Sequence, residues 1–501
     1  MEIRAQARAL VKGLDGRMNA SPYDTAWLAR LPSDHTGEAR WPDLVDWLLE
    51  HQWLDGSWGS AIPYFHDRIL CTLMAIIALR ERSAGVRADA AIRQGEGYIW
   101  RNFHFLHHDP VELVGFELIF PTLLAQARTL GLDVPSHSCG YGRIRGAKLR
   151  LLPTEALYAP GTSVAFSLEF LGAKGDPKRL SQLLAGNGSV ANSPATTAYL
   201  LLQQGTENGS ALRYLEQMRA QPGGVPHFYP LRTFEIAWVL EHLTFGGLSL
   251  DDSELVSPAI LDELESAIGE RGVSMDPEFG IDDGDTTAVT ARMLALAGRP
   301  IDRDMLKCFE DPETRTFRTF SFERNASVST NAHSLEALAL MPDYPDRQEV
   351  WDRVVTMLLA SRKYQSYWTD KWHASPFYAT AHVMMSLLES DEPLVSECLG
   401  SIDWMIHMQR SDGSWGYFGQ GTAEETAYVL LTLLRFHSRC QPVDVEVLHR
   451  GAAYLWRAFE SSRTYPDLWI AKSLFAPEGV VESAILAAMH LYQTTFGRSP
   501  A

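Results

Sequence analysis

The sequence predicts an all-α protein assembled from repeated helix pairs, and three observations predict it. Apolar residues recur at helical spacing, alternating β patterns are nearly absent, and one short turn-plus-helix signature returns along the chain.

The periodicity is clearest at 68–80 (RILCTLMAIIALR) and 424–436 (EETAYVLLTLLRF), where apolar side chains fall at i, i+3, i+4 and i+7. Short Gly, Pro, Asp and Ser clusters separate such runs. Five times a Thr-Ala pair opens an apolar run: Thr25-Ala26, Thr197-Ala198, Thr287-Ala288, Thr380-Ala381 and Thr426-Ala427. A second signature is Gln52 followed by Asp55-Gly56-Ser57-Trp58-Gly59, repeated as Gln409 with Asp412-Gly413-Ser414-Trp415-Gly416. A worn copy, Asn187-Gly188-Ser189, precedes the second Thr-Ala pair. Asp-Gly-Ser supplies a turn and a helix cap, and the Trp packs that turn against its neighbours. Repeated helix pairs of this kind stack into closed toroids or solenoids. A plain binding scaffold would repeat in the same way, so the repeats give architecture alone.

Composition narrows the function. The 501 residues are 46% apolar and 21% charged, enough for two or three ordinary domains with a large core. A net charge of −18 argues against nucleic-acid binding, which needs a basic face. An anionic ligand must therefore meet a local basic patch or a metal ion. The N-terminal residues lack a secretion pattern, and no run reaches the roughly 18 apolar residues of a membrane span. A cytoplasmic protein without stable membrane association is expected. Cys71, Cys139, Cys308, Cys398 and Cys440 are scattered without a CxxC pair, as expected for reduced thiols and not for structural zinc.

The sharpest local feature is Ile281-Asp282-Asp283-Gly284-Asp285-Thr286-Thr287-Ala288, which sets three carboxylates within four residues at the entry of an apolar helix. A solvated helix N-terminus would favour such residues through the helix dipole. Buried, the same cluster would hold protons, because desolvation and neighbouring carboxylates both favour the neutral form.

Several collinear motifs resemble those of the squalene-hopene cyclase and class II diterpene cyclase superfamily. Ser21-Pro22-Tyr23-Asp24-Thr25-Ala26-Trp27 looks like its SxYDTAW, and Gly115-Phe116-Glu117 with Phe120-Pro121 like its GFExxFP. Gly223-Gly224-Val225-Pro226 with Tyr229-Pro230 looks like GGVPxxYP. Ser329-Thr330-Asn331-Ala332-His333, Lys371-Trp372-His373 with Ser375-Pro376, and Leu468-Trp469-Ile470 resemble bacterial members, and the repeats resemble QW motifs. The resemblance implies two α/α barrels, β and γ. By it the first 32 residues belong to β, 33–246 to an inserted γ domain, and 247–501 to β.

It also implies a chemistry. A class II cyclase protonates the far end of a linear prenyl diphosphate, and the carbocation then closes rings while the diphosphate survives. The acidic motif aligns with the family's DxDD, which makes Asp285 the general acid and Asp283 its support. Here the fourth position is Thr286, giving DxDTT, a variant similar to cyclases that make drimane-type sesquiterpenes. Asn331 stands where diterpene members place an Asn that hydrogen-bonds the acid. Aromatic faces would stabilise the cation, with Tyr367, Trp368 and Trp372 as candidates.

Plant ent-copalyl diphosphate synthases carry a His–Asn base pair at the positions that resemble Phe166 and His227, so that pair is missing here. His227 is left between a base and a hydrogen-bond network. Lys371 and Lys472 are candidate phosphate partners. Glu117 matches the acidic residue implied to hold one Mg2+, an arrangement that suits that ion. A class I enzyme would need DDxxD and NSE/DTE motifs, and Asp282-Asp283-Gly284-Asp285-Thr286 misses the last Asp.

The expectation is a class II cyclase acting on farnesyl diphosphate to give drimenyl diphosphate, with geranylgeranyl diphosphate to a copalyl-type product as the alternative. Assembly stays open, a homodimer included. A protein prenyltransferase subunit would require a zinc cluster that these cysteines do not form. A triterpene cyclase would be longer, with more full QW repeats.

Overall fold

A computed structural model describes residues 2–33, 37–83, 85–153, 155–159, 161–205, 208–220, 224–320, 323, 325–388, 394–461, 464–497 and 499–500. Gly223 of the sequence motif lies outside them. The protein is mostly helical, and its described strands are two antiparallel pairs of two residues each. The all-α expectation holds, because helix pairs carry nearly all of the packing.

Six helices close a ring. Arg232–Phe245, Gly284–Leu296, Val328–Ala339, Pro376–Leu388, Ala423–Arg439 and Glu478–Phe496 each pack on the next, and the last returns to the first. These inner helices are buried on nearly every side; all thirteen residues of Pro376–Leu388 are buried. That is the pattern of a helix with neighbours all round. The outer helices are amphipathic instead. Val445–Ser461 buries Leu448, Gly451, Ala452, Leu455 and Phe459 along one stripe. Ile3–Lys12 completes the outer layer by packing on Glu478–Phe496 and Arg232–Phe245. The result is an α/α barrel.

A second ring is built from Pro22–Ala29, Phe65–Arg82, Phe116–Thr129, the 3-10 segment Ser163–Lys174 and Pro194–Gln204. The two-barrel expectation therefore fits, with a shift of both domain boundaries. Pro22–Ala29 packs into the inserted barrel, and Arg232–Phe245 belongs to the other ring. The resemblance alone placed the boundaries at 32 and 246. The Thr-Ala pair at Thr25-Ala26 in fact marks an inner helix of the inserted barrel.

The repeat signature has a mechanical basis. The Trp58, Trp368 and Trp415 backbone amides donate to Thr72, Thr380 and Thr426 Oγ1, each at 3.0 Å. Their indole N–H groups donate to the carbonyls of Leu48, Leu358 and Met405 at 2.6–2.7 Å. Each Trp thus pins a turn between an outer and an inner helix. Gln52 and Gln409 extend the clamp by donating to Ala91 and Val447 carbonyls, both at 2.9 Å.

Candidate active site

The acid motif sits where a turn enters the inner ring. Val273 pairs with Asp283 across the short strand pair, and Asp283 then caps Gly284–Leu296 by accepting the Thr286 N–H at 2.7 Å. Gly284 is required at this bend, because a Cβ there would lie 2.3 Å from the Arg318 carbonyl oxygen. The tight approach turns Asp285 inward on the first helical turn.

A cavity of about 510 Å³ opens beside the acid, within the usual size range of ligand pockets. Asp283, Asp285 and Thr286 line it together with Phe234, Trp238, Tyr378, Trp469 and Phe475. Residues of the inserted barrel form the facing wall, including Glu112, Glu117, Lys148, Leu152 and Phe166. Exposure runs in one direction. The Lys148 and Lys371 side chains are 33% and 24% exposed, against 9% for Asp285 and 0% for His333. The lysines mark the mouth and the acid marks the closed end.

Asp285 is held by His333, whose Nδ1 lies 2.6 Å from Asp285 Oδ1. Burial alone would lower the His333 pKa, yet the Glu241, Asp285 and Glu336 carboxylates overcome it and raise the imidazole to about 9. As a cation His333 donates from both nitrogens: from Nδ1 to Asp285 and from Nε2 to His382 Nδ1 at 2.9 Å. Burial pushes Asp283 up to about 8, with Asp285 adding to the rise, and its Oδ2 has no hydrogen-bond partner among the described residues. A carboxyl in this state is neutral at pH 7.

The sequence-predicted residues divide. Asp283, Asp285, Phe166, Lys371, Trp372 and Glu117 all line the cavity. Asn331 does not reach the acid. Its Nδ2 donates to the Phe317 and Ser327 carbonyls at 2.9 and 2.8 Å, and its Oδ1 accepts from Phe317 N at 2.9 Å. These bonds consume the amide in bracing backbone, and His333, two residues on, takes the place beside Asp285. Trp368 is fully buried in the repeat clamp, and Tyr367 stacks on Trp404 at 4.9 Å away from the cavity.

Lys472 is also displaced from its expected role. It is fully buried, with Nζ donating to Glu169, Ser193 and the Phe166 carbonyl at 2.7–2.8 Å, so no donor remains for phosphate. His227 belongs to the same inter-barrel network. Its Nδ1 meets Asp24 Oδ2 at 2.8 Å and its Nε2 accepts from Lys472 N at 3.1 Å. Its burial is complete, so it has no access to a cation in the cavity.

Sequence reasoning missed His333 as the acid's partner, although the residue lay inside a quoted motif. It missed Lys148, which pairs with Glu117. The signal was present: Tyr141–Leu151 carries Arg143, Arg145, Lys148 and Arg150 with no acidic residue, in a chain of net charge −18. The aromatic walls Trp238 and Tyr378 had no signal, because inner-helix aromatics look alike whether they face a core or a cavity; Trp469 lay in a quoted motif without a role.

Comparison with known proteins follows this geometry. A family model for the squalene-hopene cyclase C-terminal domain matches residues 324–497. A type B diterpene cyclase of Mycobacterium tuberculosis is 34% identical over 499 residues, covering 95% of this chain and 96% of that protein. The chain belongs to the class II terpene cyclases. An ent-copalyl diphosphate synthase of a Streptomyces species is 32% identical over 89% of this cyclase and 87% of its own length. The solved ent-copalyl diphosphate synthase of Streptomyces platensis superposes with a TM-score of 0.81 at 30% identity, covering 98% of the cyclase and 99% of that chain. The cyclase is thus an isomerase that cyclises a prenyl diphosphate. Among the described residues, no helix is long and apolar enough to cross a membrane.

Proposed function

We propose that the cyclase converts geranylgeranyl diphosphate into a bicyclic, copalyl-type diphosphate, with Asp285 as the initiating acid. One observation carries the mechanism: the Asp285 carboxyl stands at the closed, aromatic end of the cavity, hydrogen-bonded by a cationic His333. The similarity to a diterpene cyclase and to ent-copalyl diphosphate synthases supports the C20 substrate over farnesyl diphosphate. Thr286, which led toward a C15 product, lines the cavity beside the acid and bears on the acid's surroundings more than on tail length.

In this reading the isoprenoid tail enters first and its terminal double bond reaches Asp285. The carboxyl proton moves to the alkene carbon, and His333 stabilises the carboxylate left behind by donating to Oδ1. Positive charge then develops between aromatic faces such as Trp238, Tyr378 and Trp469, which attract a cation without trapping it. The apolar walls exclude water that would quench the cation early. Loss of a ring-adjacent proton ends the sequence, and the diphosphate leaves unchanged.

The diphosphate would rest at the mouth near Lys148 and Lys371, each now paired with a carboxylate, Glu117 and Glu323. Glu117 and Glu112 offer hard carboxylate oxygens on one wall, a donor set that fits Mg2+ shared with substrate phosphates. When bound, the ion would offset diphosphate charge. The ammonium groups orient the same end and keep the tail pointed at the acid.

The test is incubation of purified protein with farnesyl and geranylgeranyl diphosphates in Mg2+, followed by dephosphorylation and identification of the alcohols. A bicyclic C20 alcohol is expected as the main product. Preferred turnover of the C15 substrate would reverse the assignment of chain length.

A further inference from the structure

Behind Asp285, away from the cavity, lies a second layer of charge. Glu241 on Arg232–Phe245 points one carboxylate oxygen at His333 Nε2, 3.7 Å away, and at His382 Nδ1, 4.0 Å away. Its other oxygen is 4.0 Å from Arg292 Nη1. The Arg292 Nε lies 3.3 Å from Glu336. Every one of these side chains is at most 6% exposed. Four ring helices therefore bring two carboxylates, one guanidinium and two imidazoles into one dry place.

We infer that Glu241 is a positioning residue: it serves as counter-ion to a cationic His333 and so leaves Asp285 free to stay protonated. The argument rests on charge balance and on the reading of Asp285 as the acid. Glu241 and Glu336 carry two negative charges, and Arg292 and His333 carry two positive ones. Among these four groups the charges balance without a charge on Asp285. Remove Glu241, and a cationic His333 is left with Asp285 and with Glu336, which Arg292 already pairs. Either Asp285 then ionises or His333 loses its proton, and both outcomes disable the acid.

Other titratable groups face the same place. His382 is held neutral, well below the ordinary imidazole range, by burial and by the neighbouring His333, so its Nδ1 accepts the His333 Nε2 proton. His242, next to Glu241, is lowered to about 3 by burial and is neutral as well. The Tyr378 and Tyr428 hydroxyls also feel Glu241, and burial keeps both protonated. Arg435 lies over Phe245, one helical turn from Glu241, and is a further cation on that side of the cluster.

Glu241, His333 and His382 also present three donor atoms within 4.8 Å of one another, as a metal site would. Two features favour a proton over a metal. The two imidazole nitrogens are 2.9 Å apart, a hydrogen-bond distance, whereas two ligands on a tetrahedral zinc stand about 3.3 Å apart. A dication in place of the His333 proton would also leave net positive charge beside Arg292.

The experiment is Glu241→Gln measured across pH on geranylgeranyl diphosphate, beside Glu241→Asp and Asp285→Asn. In Glu241→Gln, kcat should fall by about 100-fold while KM stays within about twofold. Its alkaline limb should move to lower pH, since His333 loses the charge that holds its proton. Glu241→Asp should recover part of both. If kcat and the limb stay unchanged while Asp285→Asn is inactive, the counter-ion role is wrong and the acid stands. An active Asp285→Asn would remove the acid and this role with it. Should Glu241→Gln fail to fold, ¹⁵N-histidine spectra of the unaltered enzyme decide, with His333 assigned by the signal lost in His333→Gln. A cationic His333 at pH 7.5 supports the inference; a neutral ring, or stoichiometric zinc in the purified enzyme, overturns it.

Discussion

His333 Nδ1 meets Asp285 Oδ1 at 2.6 Å, a contact that joins the first turn of Gly284–Leu296 to the middle of the next helix in the ring. The acid is therefore fixed by a neighbouring helix and not by its own loop. Ring helices are stiffer than loops, so under the proposed function the proton would be delivered from a stiff mount.

This contact predicts the pH profile. His333 is raised to about 9, so its cationic form is present at pH 7 and is lost as pH rises through that value. Asp283, raised to about 8, ionises in the same region and adds negative charge beside the acid. The kcat should hold through neutral pH and fall between about pH 8 and 9. His333→Ala should fall in kcat by about 100-fold or more, with substrate binding retained, as read by steady-state kinetics.

Trp372 and Trp368 should separate function from stability. Trp372 lines the cavity, and its indole N–H has no hydrogen-bond partner among the described residues. Trp372→Leu removes an aromatic face worth about 0.5–2 kcal/mol to a passing cation, so kcat should drop about 2- to 30-fold with little change in Tm.

Trp368→Phe should do the reverse. It breaks the bond to the Leu358 carbonyl and leaves a buried gap in the clamp. A loss of about 1–3 kcal/mol is expected, visible as a lower denaturation midpoint with kcat nearly intact.

Lys472→Met strands Glu169 without its buried cation at the join between the barrels. Removing one partner of such a pair costs about 3–5 kcal/mol. Chemical denaturation should show that loss. A large rise in KM for the diphosphate substrate, with stability unchanged, would instead return Lys472 to the phosphate site.

How far the sequence could be read follows from what each feature depends on. The repeat Trp and Thr residues act on partners a few residues or one helix pair away, so their pattern exposed the architecture. Asp283 and Asp285 were legible because carboxylates clustered at an apolar helix start conflict with ordinary burial. Lys472 and His227 could not be placed from the sequence for one shared reason. Their partners lie far off in the chain, Lys472 and Glu169 being 303 positions apart, and spacing carries no record of such meetings. The same limit hid Glu241 and Trp238, whose helix was assigned to the wrong barrel. Once Arg232–Phe245 is placed in the ring, both residues fall beside His333.

The outer layer of the acid-bearing barrel takes its Ile3–Lys12 helix from one end of the chain and its closing neighbour, Glu478–Phe496, from the other. During synthesis the early segment's main packing partner, Glu478–Phe496, is made only after every other ring helix. The inserted barrel, complete by about residue 220, can fold as a unit in the meantime. The ring that carries Asp285 therefore closes last, when Glu478–Phe496 joins Ala423–Arg439 to Arg232–Phe245.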